Sequence, residues 1–200
     1  MFSITFWDMA LDRINTILDF WFEGVDDATP IATNKMPFKK WFAQDKALDD
    51  EIRRQFEPDL VKAANGEFKD WAQTAEGRLA LIILLDQFSR NMYRGSVKMY
   101  AYDAQALELA MRTIKEGKEN EYSLIHRAFL YLPLMHSENL SVQKLSVERY
   151  QNLVEESRQV NPSNTHYYEY TLKYAVEHHD TVAASGRFPY RDKVLKRTVG

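Results

Sequence analysis

Residues 78–94 read RLALIILLDQFSRNMYR, and this segment is the most informative part of the chain. Its first half, residues 79–85, is apolar at every position, so it covers all sides of a helix that turns about 100° per residue. A helix that is apolar all round is buried on every side, and we therefore expect a central helix here. Asp86, Arg90 and Arg94 fall within a sector of about 80° that continues the same buried stripe.

Three interpretations of these charged residues are open. Asp86 and Arg90 have i,i+4 spacing and could form an ion pair at the solvent end of the helix, which contributes about 0.3–0.5 kcal/mol. They could instead line the mouth of a pocket whose floor is the apolar half of the helix. They could also form a structural network between helices, because an unpaired buried charge costs several kcal/mol.

The rest of the chain predicts an all-α fold of stacked helix hairpins. Apolar residues recur at three- and four-residue spacing, and β-branched runs bounded by turns are nearly absent. The predicted helices are residues 8–22, 49–65, 74–93, 103–116, 123–135, 141–160 and 165–184. The predicted caps are Gly66, Gly95, Gly117 and Gly186 at C-termini and Ser141 and Thr165 at N-termini. Residues 24–40 form the one long irregular stretch, which we interpret as a surface loop or a lid.

Composition narrows the class of protein. The 200 residues suit a single helical domain, and a hydrophobic content of 45% is enough for a core. The chain has no cysteine, which fits a reducing cytoplasm. Its first residues do not resemble a signal peptide, and no apolar run approaches the roughly 20 residues of a membrane span. With a net charge of -3 and dispersed basic residues, we expect a soluble cytoplasmic protein that binds neither nucleic acid nor membrane.

A second polar cluster lies in Tyr131-Leu-Pro-Leu-Met-His-Ser-Glu138. Pro133 has no N–H to donate to the carbonyl of Phe129, so the helix is expected to kink or end there. His136 and Glu138 follow an apolar run and could act as an acid–base pair or a hydrogen-bonding clamp. The alternative for His136 is a structural histidine whose hydrogen bonds are satisfied inside the protein.

Motifs for metals and cofactors are weak. His136 and Glu138 lack the i,i+4 spacing of a zincin, and His178-His179-Asp180 shares only a dipeptide with the HD phosphohydrolases, so we predict no metal site. Ser141-Val-Gln-Lys144 matches S-x-x-K without its companion motifs. The sequence has no Walker A, G-x-G-x-x-G or G-x-S-x-G motif, and we expect no cofactor.

Five ordered motifs carry a resemblance to a known family. They are Leu18-Asp-Phe-Trp-Phe22, Lys40-Trp-Phe42, Leu84-Leu-Asp-Gln-Phe-Ser-Arg-Asn91 with Arg94-Gly95, Tyr131 to Glu138, and Gly186-Arg-Phe-Pro-Tyr-Arg191. Over residues 17–195 the chain resembles the bacterial domain-of-unknown-function family 924. The resemblance implies helix hairpins stacked around a concave face, similar to a tetratricopeptide-type array, and it implies no reaction. Tyr190 stands where the family usually has histidine, so the tail is a weak source of a catalytic imidazole.

Two functional hypotheses follow from these patterns. The first is a pocket for a small anionic ligand such as a carboxylate or phosphate, with His136 as the acid–base candidate. Its predicted residues are Asp86, Arg90, Arg94, Arg127, His136, Glu138, Arg187 and Arg191. The second is a helical scaffold that binds a peptide or protein in its concave groove, with Trp41 and Tyr131 as anchors. Enzymatic activity and oligomeric state stay open.

Overall fold

The computed structural model describes residues 6–32 and 35–198, and every regular element in these two ranges is a helix. The α-helices are α1 (Phe6–Phe22), α2 (Phe38–Phe42), α3 (Lys46–Ala64), α4 (Ala75–Ile82), α5 (Ser89–Met92), α6 (Asp103–Lys115), α7 (Leu124–Leu130), α8 (Leu132–Met135), α9 (Leu140–Val160), α10 (Thr165–Ser185) and α11 (Pro189–Leu195). A π-helical turn, Ile83–Phe88, joins α4 to α5 without a break. None of the described helices combines the length and the apolarity that a bilayer-crossing segment needs.

The predicted central helix is confirmed. Residues 79–85 are almost fully buried, and α4 with its π-helical turn contacts α1, α3, α6 and α7. Aromatic side chains fill the space around it: the ring of Phe88 packs 5.5 Å from that of Trp21 and 4.8 Å from that of Phe56. These edge and tilted contacts surround the central helix with large apolar groups, as its continuous apolar run requires.

Every helix predicted from periodicity is present, whereas two short helices were not predicted. α2 lies inside the stretch predicted to be irregular, and α11 follows the glycine that ends α10. Helices of five and seven residues are too short to show an apolar period, so only their prolines, Pro37 and Pro189, mark them. The stretch is also more buried than a surface loop, because Ile31 and Phe38 are in the core.

The predicted caps are confirmed at the C-termini of the helices and wrong at the N-termini. The four glycines named above all have positive φ values, between 67° and 77°, and these predictions are confirmed. Both N-cap predictions are wrong. Asn139 caps α9 by accepting hydrogen bonds from the N–H groups of Ser141 and Val142, so Ser141 already lies in the first turn. Thr165 is the first residue of α10, which has no side-chain cap.

The helix break predicted at Pro133 is confirmed, and it determines where His136 lies. α7 ends at Leu130 and α8 begins at Leu132, which leaves His136 just beyond the short α8. α9 and α10 then pack along each other as a hairpin, and α10 also contacts α8. The chain finally returns through Phe188, which is completely buried, so the tail packs close to the end of α8.

We predict that Asn139→Ala lowers the free energy of unfolding by about 1 kcal/mol, because it removes the acceptor for two N–H groups in the first turn of α9. Ser141→Ala is the matched control and should change it by less than about 0.5 kcal/mol, since this exposed side chain caps nothing. Urea denaturation of both variants measures the difference. A larger loss in Ser141→Ala would contradict the assignment of the cap.

Candidate functional site

The centre of the site is a buried carboxylate in the π-helical turn. Asp86 is completely buried, and its Oδ1 lies 2.7 Å from Nδ1 of His136 and 3.0 Å from Nη1 of Arg90. The Arg90 guanidinium also donates to the backbone carbonyl of Asp86, and the Gln87 amide contacts the second carboxylate oxygen. The N–H of Ser89 donates to the carbonyl five residues back, so this turn is wider than an α-helical one. π-turns of this kind are frequent at functional sites.

Two further residues complete what we call the central network: Asp86, Arg90, Asp103, His136 and Arg191. Asp103, at the start of α6, lies 2.9 Å from Nη1 of Arg90 through one oxygen and 3.2 Å from Nη1 of Arg191 through the other. Arg191 donates in turn to the carbonyl of His136 at 2.9 Å. The network therefore holds two carboxylates and two guanidinium groups, whose charges balance.

The charges of the network fix the protonation of His136. Burial by itself would raise the pKa of Asp86, but Arg90 and His136 outweigh burial and lower it to about 2, so Asp86 is ionised. Burial lowers the pKa of His136 below its usual value, and the positive charge of Arg90 lowers it further. His136 is therefore neutral near pH 7. Since an ionised carboxylate only accepts hydrogen bonds, the proton of His136 lies on Nδ1 and the lone pair on Nε2.

A cavity of about 220 Å³ lies beside this histidine. Its walls are mostly apolar or aromatic and consist of Phe42, Leu132, Met135, His136, Tyr170, Thr171, Tyr174 and His178. His136 alone among the members of the central network lines it. Nε2 of His136 has no hydrogen-bond partner in residues 9–32 and 35–198 and is not sealed from its surroundings. This nitrogen is therefore available to a molecule in the cavity.

The cavity meets solvent at two aromatic residues and holds a second imidazole. Phe42 and Tyr174 are 39% and 38% exposed, which leaves the rim open. The ring of His178 lies 6.3 Å from the ring of His136, centroid to centroid, and its Nδ1 bonds the carbonyl of Tyr174 at 2.8 Å. Burial, and next the nearby His136, lower the pKa of His178 to about 4. Both imidazoles are thus neutral near pH 7.

The structure brings together only half of the predicted pocket residues. Asp86, Arg90, His136 and Arg191 meet in the central network, whereas each of the other four belongs to an ion pair elsewhere. Arg94 pairs with Asp49, Arg127 with Glu156, Glu138 with Arg197, and Arg187 with Asp192. The eight predicted residues therefore do not form one network of ion pairs. Whether any of them binds a ligand stays a prediction.

Physical reasons account for two of these differences. The prediction for Arg94 assumes that every residue turns the helix by the same angle as in an α-helix. The π-helical turn is wider than an α-helical turn, and α5 ends at Met92, before Arg94. The predicted pair of His136 with Glu138 is also not formed. Glu138 accepts from both terminal nitrogens of Arg197 and from the backbone N–H of Phe188, so it anchors the tail.

Two aromatic anchors of the scaffold hypothesis are in the wrong place for a partner. Trp41 is buried and donates from Nε1 to the carbonyl of Trp21. Tyr131 is also buried, and its hydroxyl donates to Glu119 at 2.7 Å. Both rings therefore contribute to the interior of the protein, and a partner could not reach them without unfolding.

Asp103 and His178 were missed as members of the site. Asp103 begins a helix, where an acidic residue is ordinary, so no sequence pattern distinguishes it. His178 was considered only with its neighbours, but His179 pairs with Asp180 and does not line the cavity. Within residues 6–32 and 35–198, no group of three or more His, Asp or Glu side chains is arranged to hold a metal ion.

The fold and the site thus define an all-helical protein with a buried, charge-balanced network beside an aromatic cavity. Residues 17–199 match the family model described as "Bacterial protein of unknown function (DUF924)", and the chain belongs to this family. The solved structure of the protein of unknown function ATU0120 from Agrobacterium tumefaciens is 32% identical, with a TM-score of 0.77 over 96% of this chain and 94% of that chain. A search of curated proteins found no match. The resemblance stated from the five motifs is confirmed.

We predict that Arg90→Met lowers the free energy of unfolding at pH 8 by about 3–5 kcal/mol, because it leaves the buried charge of Asp86 short of a partner. Arg94→Met is the matched control from the same segment. Its side chain is 34% exposed, against 15% for Arg90, and its loss should cost about 1 kcal/mol or less. Urea denaturation compares them, and equal losses would contradict the importance of the central network.

We also predict that the protein loses stability on acidification from pH 6.5 to pH 4. The pKa of His178 is about 4 in the folded protein, below its usual 6.5, so the unfolded chain binds more protons in this window. Stability gained from keeping His178 neutral is therefore lost as the pH falls. Thermal unfolding across this range should show a shallower pH dependence for His178→Gln. His179→Gln controls for the loss of an imidazole outside the cavity, and an equally shallow profile there would contradict the assignment.

Proposed function

We propose that this protein binds a small, largely apolar molecule in the cavity beside α8 and α10, with His136 as its polar contact. One observation carries the proposal: His136 lines the cavity with its Nδ1 held by the buried Asp86, while its Nε2 has no hydrogen-bond partner in the described part of the chain. Polar atoms in folded proteins normally have a hydrogen-bond partner, either in the protein or in ordered solvent. An atom that is positioned so firmly and left without a partner suits a ligand that supplies the missing hydrogen.

The size and the walls of the cavity limit the ligand. A volume of about 220 Å³ is below the range of about 300–1,000 Å³ that holds drug-sized molecules, so the ligand is a small one. Phe42, Tyr170 and Tyr174 are among the residues that line the cavity, which favours a flat or apolar body. Since Nε2 accepts hydrogen bonds, the polar part of the ligand is an O–H or N–H group.

The anionic ligand expected from the arginine content has weaker support. Arg90 and Arg191 already face Asp103, and neither lines the cavity. A carboxylate or phosphate would have to replace that aspartate, and near neutral pH it would meet a histidine that has no positive charge. The anionic class therefore stays a prediction, and the neutral donor is the class we propose.

The same arrangement equips His136 for acid–base chemistry. A carboxylate on one ring nitrogen holds the tautomer and the orientation of an imidazole, and the free lone pair on the other takes a proton from a bound O–H or N–H group. Asp86 has the orienting role and His136 the acid–base role in this proposal. Neither Ser141 nor His179 lines the cavity, so neither enters it.

The remaining expectations from the sequence stand as proposals. The α9–α10 hairpin supports a tetratricopeptide-type stacking of hairpins around a concave face. A peptide or protein partner in that concave face is the alternative function, but it must use anchors other than Trp41 and Tyr131. The cytoplasmic location stays a prediction.

We predict that phenol binds in this cavity about 2- to 10-fold more tightly than toluene, because only phenol donates a hydrogen bond to His136. Thr171→Leu, which fills the cavity, should abolish the binding of both probes. Thr181→Leu is the matched control, since Thr181 also bonds a backbone carbonyl of α10 but does not line the cavity. Titrations followed by NMR measure the affinities.

Three results of these titrations would count against the proposal. They are the absence of binding by both probes at millimolar concentration, equal binding by Thr171→Leu and the unsubstituted protein, and equal affinity for phenol and toluene. Benzoate is the third probe. Tighter binding of benzoate than of phenol would favour the anionic class over the neutral donor, because the two probes share a ring and differ in charge.

A further inference from the structure

Two imidazoles line the same cavity, and each has one ring nitrogen without a protein partner. Nδ1 of His178 bonds the carbonyl oxygen of Tyr174, which only accepts hydrogen bonds, so the proton of His178 lies on Nδ1. Nδ1 of His136 carries its proton toward Asp86 for the same reason. In both rings the lone pair is therefore on Nε2, and neither Nε2 has a hydrogen-bond partner or is sealed in the described part of the chain.

Both histidines carry the support that metal-binding histidines usually have. A ligating imidazole almost always donates its second ring N–H to a carboxylate or to a backbone carbonyl, which fixes the tautomer and makes the other nitrogen a better ligand. His136 donates to the carboxylate of Asp86, and His178 donates to the carbonyl of Tyr174. A histidine that serves only in packing has no need of one ring nitrogen held by an acceptor and the other left without a partner.

The spacing of the two rings suits one shared ion. A metal–nitrogen distance of about 2.0 Å places the ion about 3.2 Å from an imidazole centroid, so two rings that share one ion have centroids at most about 6.4 Å apart. The observed separation of His136 and His178 is 6.3 Å. This value corresponds to a wide angle between the two ligands and to a low coordination number.

We propose that His136 and His178 together bind one monovalent copper ion. Both ligands are neutral, and the central network behind them has balanced charges, so nothing at the cavity offsets the second charge of a divalent ion. The cost of burying an ion rises steeply with its charge, which favours the monovalent state. Met135 on the cavity wall adds a thioether, a type of ligand that selects copper in this state.

The sequence predicted no metal site because it was searched for three or four ligands at helical spacing. Zinc sites take four ligands, and the cavity wall offers two nitrogens and no carboxylate. Monovalent copper accepts two ligands, a pattern that leaves no spacing signature when the two residues are far apart in the sequence. The inference uses the cavity of the proposed function but not its organic ligand, so either can fail while the other stands.

The test is a titration of the full chain with Cu(I), under reducing and oxygen-free conditions, against a chromogenic Cu(I) chelator. We expect the protein to withdraw one equivalent of copper from the chelator. His178→Gln should weaken binding at least tenfold, and Asp86→Asn, which removes the carboxylate behind His136, by about 10- to 100-fold. His179→Gln, one residue away from His178 and outside the cavity, should bind like the unsubstituted protein.

A second measurement does not depend on any variant folding. Cu(I) is diamagnetic, so the imidazole nitrogens can be followed by NMR in the unsubstituted protein, and we expect the Nε2 signals of His136 and His178 to shift together at one equivalent. No transfer of copper from the chelator would overturn the proposal. So would equal binding by His178→Gln, shifts confined to surface histidines, or displacement of the copper by one equivalent of zinc.

These outcomes are distinguishable from a failure of the proposed function. Copper binding with no binding of phenol would leave the metal site and remove the organic ligand. Phenol binding with no copper would do the reverse. Because both use Nε2 of His136, we expect phenol to bind more weakly once one equivalent of copper is present, and unchanged phenol affinity in the copper-loaded protein would contradict a shared nitrogen.

Discussion

A carboxylate with no exposure to solvent is the constraint on which this structure depends. Asp86 lies on the central helix directly after seven apolar residues, and an unpaired charge there would cost several kcal/mol. The protein meets this cost with two partners from different directions: Arg90, one turn along the same helix, and His136, after α8. Breaking the helix at Pro133 is what allows His136 to leave its own helical path and reach the carboxylate.

Pairing Asp86 with Arg90 creates a second requirement, because a guanidinium group has more donors than one carboxylate can accept. Asp103 takes up part of this surplus, and Arg191 then balances Asp103. The result is a network whose charges balance among distant segments, although Nη2 of Arg90 and Nε of Arg191 are buried without a hydrogen-bond partner in the described part of the chain. What it offers the adjoining cavity is therefore a single neutral nitrogen of His136, and the chemistry of the site follows from that nitrogen and from the second imidazole of His178.

The sequence predicted helices and C-terminal caps correctly in long segments with a clear apolar period. Its predictions were wrong or missing in short segments and at a local irregularity of the helix. The central helix followed from its apolar run, and the glycine caps followed from their positions. Arg94 was misplaced because no sequence pattern marks a π-helical turn, and α2 and α11 are shorter than two full apolar periods. His178 was missed because the sequence motif treats it together with His179, although the two side chains have different partners.

The tail shows why sequence patterns could name residues of the site, such as Arg191 and Glu138, but could not assign their partners. Arg191 donates to the backbone carbonyl of His136, and Glu138, two residues further, holds both Arg197 and the N–H of Phe188. The segment after α10 therefore fastens the residues on either side of the His136 ring. Because its position depends on pairing between residues fifty or more positions apart, no local spacing could reveal it. The orientation of His136 is thus a property of the closed fold, and chemistry at Nε2 requires the tail to be docked.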